Sequence, residues 1–371
     1  MGLNKIILNI ALAIVDFCTF FLRPVPNRIT FISLTSDHLT SDFKRISDAL
    51  QRHGGYELRY NLVVFKKNLW GDFLYFLNCL KQVVELKRSR LVILNDNNYV
   101  ISRMKPQETI VLQVWHAAGA VKKFGNQIHR QYEIKNYNAI VASSTYWQSC
   151  YAQAFGVRPE QVMNVGMARI DDLLDRARMK ANVAAFYERY PQTKTKRCVL
   201  YAPTFRGNII DGFEVESLHL DQMADTLPDD VMILYKFHPL LGDIRFQAPN
   251  AIAVNQEDLY TLMHVSDCLI SDYSSVIFDY ALLKKPMISF VPDLEKYKRT
   301  IGLNMEYEKD FPGAICQTEM EVADALRNLA AYDYEKLYDF QKKYIVHTDG
   351  KNTARIVRWI EQQMKQQKKD A

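Results

Sequence analysis

The sequence predicts two α/β domains, each built on a mostly parallel sheet, and three observations predict it. Short apolar runs alternate with longer amphipathic stretches, the pattern of βα units. A polar gap, "RYPQTKTKR" at 189–197, interrupts the alternation, which then restarts. The chain has 371 residues, 48% of them apolar, enough for two domains of ordinary size with a core in each.

The elements follow in order. "NKIILNIALAIVDFCTFFLRPVP" carries an apolar stretch over 6–22, interrupted by Asn9 and Asp16 and ended by Pro24 and Pro26. It is short for a membrane span and lacks a small-residue cleavage site, so it reads as an amphipathic helix. Such a helix either packs on the domain or lies on a membrane surface. Strands are predicted over 28–33, 57–65, 90–94, 109–114 and 139–143, with helices over 42–51 and 69–87. A long helix over 170–188 leads into the polar gap. The second series is "CVLYAP", "VMILYKF", "AIAV", "CLIS" and "PMISFV". The boundaries are then 1–26 for the N-terminal helix, 27–189 for the first domain and 190–371 for the second. The tail "RWIEQQMKQQKKDA" holds Lys365, Lys368 and Lys369, a solvated helix end or an aid in meeting an anionic surface.

Composition excludes several classes. Net charge is +5, from 47 Lys plus Arg against 42 Asp plus Glu, too little for a general nucleic-acid binder. The six cysteines lie far apart with no CxxC pair, which fits reduced thiols in a cytosolic setting rather than a zinc site or disulfide framework. There is no GxGxxG, GxxxxGK[ST], GxSxG or HExxH, which argues against a dinucleotide oxidoreductase, a P-loop NTPase, an α/β-hydrolase and a zincin.

In open parallel sheets ligands bind beyond the carboxyl ends of the strands, so the residues after each apolar run carry the functional signal. "IVLQVW" ends at His116, "AIVAS" at Ser143 and Ser144, and "CVLYAP" leads to Thr204 and Arg206. "VMILYKF" ends at Lys236 and His238, and "CLIS" runs into "DYSS", with Ser274 and Ser275. Singly, His116 and His238 read as structural strand-end histidines and Ser274 as a helix N-cap. Together they suit a phosphate-bearing ligand: cations, hydroxyls, and amides at the start of a helix whose dipole favours an anion.

Four stretches in this order, "VWHAAGAVKKFG", "YAPTFR", "KFHP" and "SDCLISDYSSVIFDYALLKKPMISFVPDLEKYKRTIGL", resemble the CDP-glycerol glycerophosphotransferase family, enzymes that prime and polymerise wall teichoic acids. The resemblance covers about residues 100–345. It implies a GT-B-like fold, two Rossmann-like domains with parallel sheets facing a central cleft. It implies transfer of glycerol phosphate, or a related alditol phosphate, from CDP-glycerol or CDP-ribitol to a polyprenyl-diphosphate-linked saccharide with release of CMP. The enzyme would sit peripherally on the cytoplasmic face of a bacterial membrane. By resemblance, His116 and His238 match the family's two important histidines. Arg206, Lys236, Ser274, Ser275 and Asp279 match donor-binding positions, and Ser143 and Arg169, the latter in "GMARID", match further substrate-binding positions. One departure stands out: the family follows its first histidine with Gly-Thr-Pro, whereas Ala117, Ala118 and Gly119 stand here. That change would tune contacts with donor or acceptor.

The chemistry this implies needs a base for the attacking hydroxyl and charge compensation as CMP leaves. A histidine near the ordinary pKa of ~6.5 serves as base at neutral pH, and His116 is the candidate. Arg206, Lys236, protonated His238 and the Ser274–Ser275 turn would meet the departing phosphate. Asp279, four residues after Ser275, shares its helical face. No metal or other cofactor is required. A GT-B glycosyltransferase using a nucleotide sugar and a non-catalytic nucleotide or lipid-carrier binding protein are the competing readings.

Overall fold

The structure is a computed structural model that describes residues 3–204, 206–208, 212–215, 218–223, 226–237 and 244–366. The chain forms two compact units. The first comprises Met1–His116, Phe124–Asp171 and Lys351–Ala371, and the second Ala117–Lys123 and Asp172–Gly350.

In the first unit six parallel strands form one sheet: β1 (Val25–Ser33), β2 (Glu57–Leu62), β3 (Ser89–Leu94), β4 (Ile110–Gln113), β5 (Ala139–Ala142) and β6 (Val162–Asn164), in the order β2-β1-β3-β4-β5-β6. The central strands are apolar almost throughout, as strands covered on both faces must be, and β4 and β5 are buried at every position. Strand order reverses between β1 and β3, so the carboxyl ends of these two strands mark the switch point where such sheets bind ligands.

Four helices of this unit bear on function. α1 (Leu3–Cys18) lies along α3 (Leu69–Arg88), and α2 (Ser41–His53) packs against the C-terminal helix Asn352–Gln366. The two polar residues that interrupt the apolar run of α1 are what dock it. Asn9 accepts a 2.6 Å hydrogen bond from the Tyr99 hydroxyl, and Asp16 pairs with Lys87 at 2.7 Å. With Leu12 fully buried, α1 packs on the unit through one face while its other face is exposed.

The second unit holds β7 (Arg197–Tyr201), β8 (Arg206–Asn208), β9 (Gly212–Glu214), β10 (Val231–Tyr235), β11 (Ala251–Ala253), β12 (Cys268–Ser271), β13 (Met287–Phe290) and β14 (Ala314–Cys316). Six of them form a parallel sheet in the order β11-β10-β7-β12-β13-β14, and β8 pairs with β9 in a separate antiparallel hairpin. Here the order reverses between β7 and β12. Val199, Tyr201, Ile233, Ile270 and Ile288 from adjacent strands belong to one buried cluster.

The strands expected from apolar runs form within a few residues of the expected limits, and β6, β14 and the hairpin are additional. The helix expected over 170–188 is two helices, Ile170–Leu173 and Arg176–Arg189. The break is at Asp175, whose side chain accepts the Arg178 amide as an N-cap and so starts a new helix. A single boundary near 190 is the sequence reading, whereas the units divide at Asp171 and return the C-terminal helix to the first. Asp171 holds that helix, accepting from the amides of Asn352 (3.0 Å) and Thr353 (2.8 Å) and from the Thr353 hydroxyl (2.7 Å). Gly166 is in left-handed backbone (φ +78), and a β-carbon there would strike the Asn352 side chain.

Candidate functional site

In the first unit the site is built from the β4 end. Trp115 takes φ +56, a strained backbone for a bulky residue. Its amide donates to Gln113 Oε1 (2.8 Å), and Gln113 Nε2 donates to the Asp96 carbonyl (2.7 Å), so the β3 end holds the bend. The Trp115 ring packs on Phe124 and Phe155 and forms a platform for His116, ring centroids 3.9 Å apart. His116 is exposed, and its Nδ1 lies 3.0 Å from the Asn95 carbonyl oxygen. A carbonyl only accepts, so Nδ1 carries the proton and Nε2 is the basic nitrogen.

Arg169 completes this cluster. Its Nη1 donates to the His116 carbonyl at 2.7 Å, and its amide donates to Asp42 Oδ1 at 2.9 Å. Ser143 and Ser144, just past β5, are buried. Asp96 bridges the switch point by accepting the Leu34 amide at 2.6 Å. Burial pushes its carboxyl up to about 7, against the lowering effect of the Leu34 and Ser33 hydrogen bonds.

The second unit repeats this device with a cation added. Asp272, two per cent exposed just after β12, accepts the Thr204 amide at 2.9 Å across the switch point. Arg206 donates to Asp272 at 2.8 Å and to Asp293 at 2.9 and 3.2 Å, with its guanidinium 4.9 Å from the rings of both Tyr273 and Tyr297. Tyr273 also donates to Asp293, and Tyr307 to the Asp272 carbonyl. Burial raises the Asp272 carboxyl, opposed by Arg206. Burial also acts on Asp293, but hydrogen bonds and charge from Arg206 outweigh it and hold that carboxyl below its ordinary value. Arg206 is thus engaged by two carboxylates.

Lys236 is engaged too, donating to the carbonyls of Asn255 (2.6 Å) and Glu257 (3.0 Å), and burial lowers its pKa against the pull of Asp258 and Glu257. Ser274 and Ser275 are half-buried before the helix Val276–Ala281. Its first amides turn back on the serines: Val276 donates to Ser274 Oγ at 3.4 Å and Phe278 to the Ser275 carbonyl at 3.1 Å. Asp279 is buried on this helix with the Tyr260 hydroxyl 3.4 Å from Oδ2. His238 lies outside the described residues.

The structure therefore joins His116 to Arg169 in one unit, and places Arg206 with Asp272 and Ser274–Ser275 at one switch point of the other. Sequence reasoning assigned no role to Asn95, Asp42 and Trp115, or to Asp272, Asp293 and Tyr297. The last three lay inside the long quoted stretch "DYSS…PDLEKY", where an acid closing one strand faced an arginine following another. Residues after His116 join the second unit: Lys122 pairs with Leu303 in a β-bridge, and Lys123 donates to the Gly302 carbonyl at 3.0 Å. Among the described residues no group of three or more His, Cys, Asp or Glu is placed to hold a metal ion.

Comparison with known proteins bears on family and fold. The family model described as CDP-Glycerol:Poly(glycerophosphate) glycerophosphotransferase matches residues 15–362. The teichoic acid ribitol-phosphate primase of Bacillus spizizenii is 30% identical, over 91% of this chain and 92% of that protein. The teichoic acid poly(ribitol-phosphate) polymerase of the same organism is 29% identical over 94% of this chain, which spans 59% of its length. Among solved structures, the wall teichoic acid polymerase TagF superposes with a TM-score of 0.75, at 22% identity over 97% of this chain and 94% of that one, a likeness of fold. The architecture is GT-B-like α/β.

Proposed function

The chain belongs to the CDP-glycerol:poly(glycerophosphate) glycerophosphotransferase family, and from that premise we propose that it transfers glycerol phosphate or ribitol phosphate from the CDP-alditol to a polyprenyl-diphosphate-linked saccharide. The observation that carries the reading is His116: exposed, its ring packed at a tilt on a strained Trp115, with Nδ1 turned to the Asn95 carbonyl. Nε2 takes the proton of the acceptor hydroxyl as that oxygen attacks the phosphorus bearing the alditol. The pyrophosphate P–O bond breaks and CMP leaves with the electron pair. Arg169 positions the histidine through its backbone carbonyl, and Ser143, buried just past β5, is assigned with it to substrate binding.

Donor binding falls to Lys236, His238, Ser274 and Ser275, with Asp279 behind the serines. Arg206 supports them as a positioning residue, its charge committed to Asp272 and Asp293. The two Bacillus spizizenii relatives are named for ribitol phosphate and the family for glycerol phosphate, so both donors belong in the assay.

The acceptor's lipid calls for a peripheral place on the cytoplasmic face of the membrane. Among the described residues no helix is long and apolar enough to cross it. Support for a surface attachment comes from α1, where Ile7, Ile10, Ile14 and Phe17 are exposed, and from α3 beside it, where Leu69, Trp70 and Phe73 are exposed.

The deciding experiment incubates the enzyme with CDP-glycerol, CDP-ribitol and UDP-sugars, each with a lipid-linked saccharide, and follows CMP or UDP. Acceptor-dependent CMP release supports the proposal. UDP release alone would replace it with a glycosyltransferase, and binding without turnover with a carrier protein.

A further inference from the structure

Beside the N-terminal half of α1 runs a groove of about 460 Å³, lined mainly by Ile7 and Leu8 of α1, Phe76 of α3, and Phe65, Tyr99 and Tyr132, with one acid, Asp72 in the first turn of α3, on its wall. A second hollow of about 310 Å³ shares Lys5, Tyr99 and Tyr132 with it, and there the lining turns cationic, with Lys5, Arg103 and Lys135. The acid in that hollow, Glu133, is engaged by Lys135 at 2.8 Å. Lys5 is steered inward, donating one hydrogen bond to the Gln131 carbonyl at 2.6 Å with its ammonium 5.9 Å from the Tyr99 ring centre. An ammonium has three N–H donors, so further directions remain for an anion, and the exposed Arg103 fork adds more.

An apolar slot that ends in cations matches a molecule with a hydrocarbon chain on a phosphate. The slot is also continuous with the membrane-facing surface, because Ile7 lines it and is half exposed on the apolar face of α1. We propose that this groove is a binding site for one anionic phospholipid, its acyl chain along Ile7, Leu8 and Phe76 and its phosphate at Lys5, Arg103 and Lys135. The proposal rests on the reading of this chain as a peripheral membrane enzyme. It adds lipid selectivity: the enzyme would bind best where the membrane supplies anionic headgroups, apart from any acceptor it modifies.

Two measurements on the full chain test it. Native mass spectrometry with a short-chain phosphatidylglycerol below its micelle concentration should show one lipid bound. Glycerol phosphate, which lacks the chain, and short-chain phosphatidylcholine, which lacks the net charge, should bind far less. Flotation should recover more enzyme with vesicles containing phosphatidylglycerol than with pure phosphatidylcholine. Replacing Lys5, Arg103 and Lys135 by Gln should weaken phosphatidylglycerol binding about fivefold per cation. Arg103→Lys alone should retain most of it, and Leu8→Trp should block the slot. Equal binding of both phospholipids, or phosphatidylglycerol binding unmoved by the Gln variants, overturns the proposal. So does displacement of phosphatidylglycerol by polyprenyl phosphate, which would give the groove to the acceptor. Failure of the wild type to float with any vesicle would overturn the membrane reading, while the short-chain assay still reads the groove.

Discussion

Arg206→Ala should destabilise the second unit before it tells anything about the donor. The side chain is 12% exposed and faces Asp272, 2% exposed, and Asp293, 14% exposed. Removing the guanidinium strands a carboxylate that is already raised by burial, and breaking a buried pair in this way costs about 3–5 kcal/mol. For a unit of this size each kcal/mol lowers the melting temperature by roughly 2–4 °C, so a fall of about 6–20 °C is expected. Arg206→Lys keeps the charge without the fork that reaches both acids, and should lose about half as much. Arg206→Met with Asp272→Asn removes both members of the tighter pair and should recover most of the loss, since Asp293 is the more exposed acid. The assay is thermal unfolding of the three variants beside wild type, followed by donor kinetics at a temperature where each is folded. If Arg206→Ala melts with wild type and only its apparent donor affinity falls, the guanidinium binds phosphate and the clamp argument fails.

Other outcomes follow from the same geometry. His116→Ala should lower kcat/KM by about 10²- to 10⁴-fold with an unchanged melting temperature, and near-normal turnover removes it as the base. Asp96 titrates near 7 when folded and near ~3.9 when unfolded, so the folded state binds its proton more tightly; its contribution is greatest below ~pH 4, declines as pH rises to about 7 and is flat above. Asp96→Asn should therefore stabilise the protein at pH 8 by up to about 4 kcal/mol and hardly at pH 4, and a pH-independent effect in denaturation refutes the burial argument. Phe17→Ser with Phe20→Ser and Phe21→Ser, at residues 77, 71 and 64% exposed, should release the enzyme from vesicles without unfolding it, and unchanged flotation would place the contact elsewhere. Ser274→Pro should raise the donor requirement and spare the fold, as kinetics alongside circular dichroism will show.

Much of the fold was legible because buried parallel strands must be apolar on both faces, and "RLVIL", "AIVA" and "CLIS" have few other uses. The three-residue strands β6 and β14 are too short to carry a period. The end of the first unit was hidden for a different reason: one carboxylate, Asp171, recruits a helix some 180 residues away, and periodicity carries no record of such a partner. Strand ends did point to His116, Arg206, Lys236 and Ser274. What they could not reveal was engagement, because the carbonyls that hold Lys236 and the acids that hold Arg206 are brought to them by other strands.

The two switch points explain the aspartate in "DYSS" without a ligand. Where strand order reverses, the loops leaving β1 and β3, or β7 and β12, diverge, and a backbone amide there loses its sheet partner. In each unit an aspartate just past the second strand of the pair accepts that amide: Asp96 from Leu34, and Asp272 from Thr204. A buried carboxylate then needs compensation. Asp272 has it in Arg206, so the acid and the arginine form an ion pair at the base of the Ser274–Ser275 turn. Asp96 has no such cation paired to it among the described residues, and burial carries it toward neutrality instead. The same backbone requirement thus yields an aspartate–arginine pair in one unit and a group that titrates in the physiological range in the other, next to Asn95, whose carbonyl orients His116. A pH profile of activity should therefore carry the signature of Asp96 as well as of the histidine, and Asp96→Asn, which leaves His116 its carbonyl partner, should simplify that profile rather than abolish turnover.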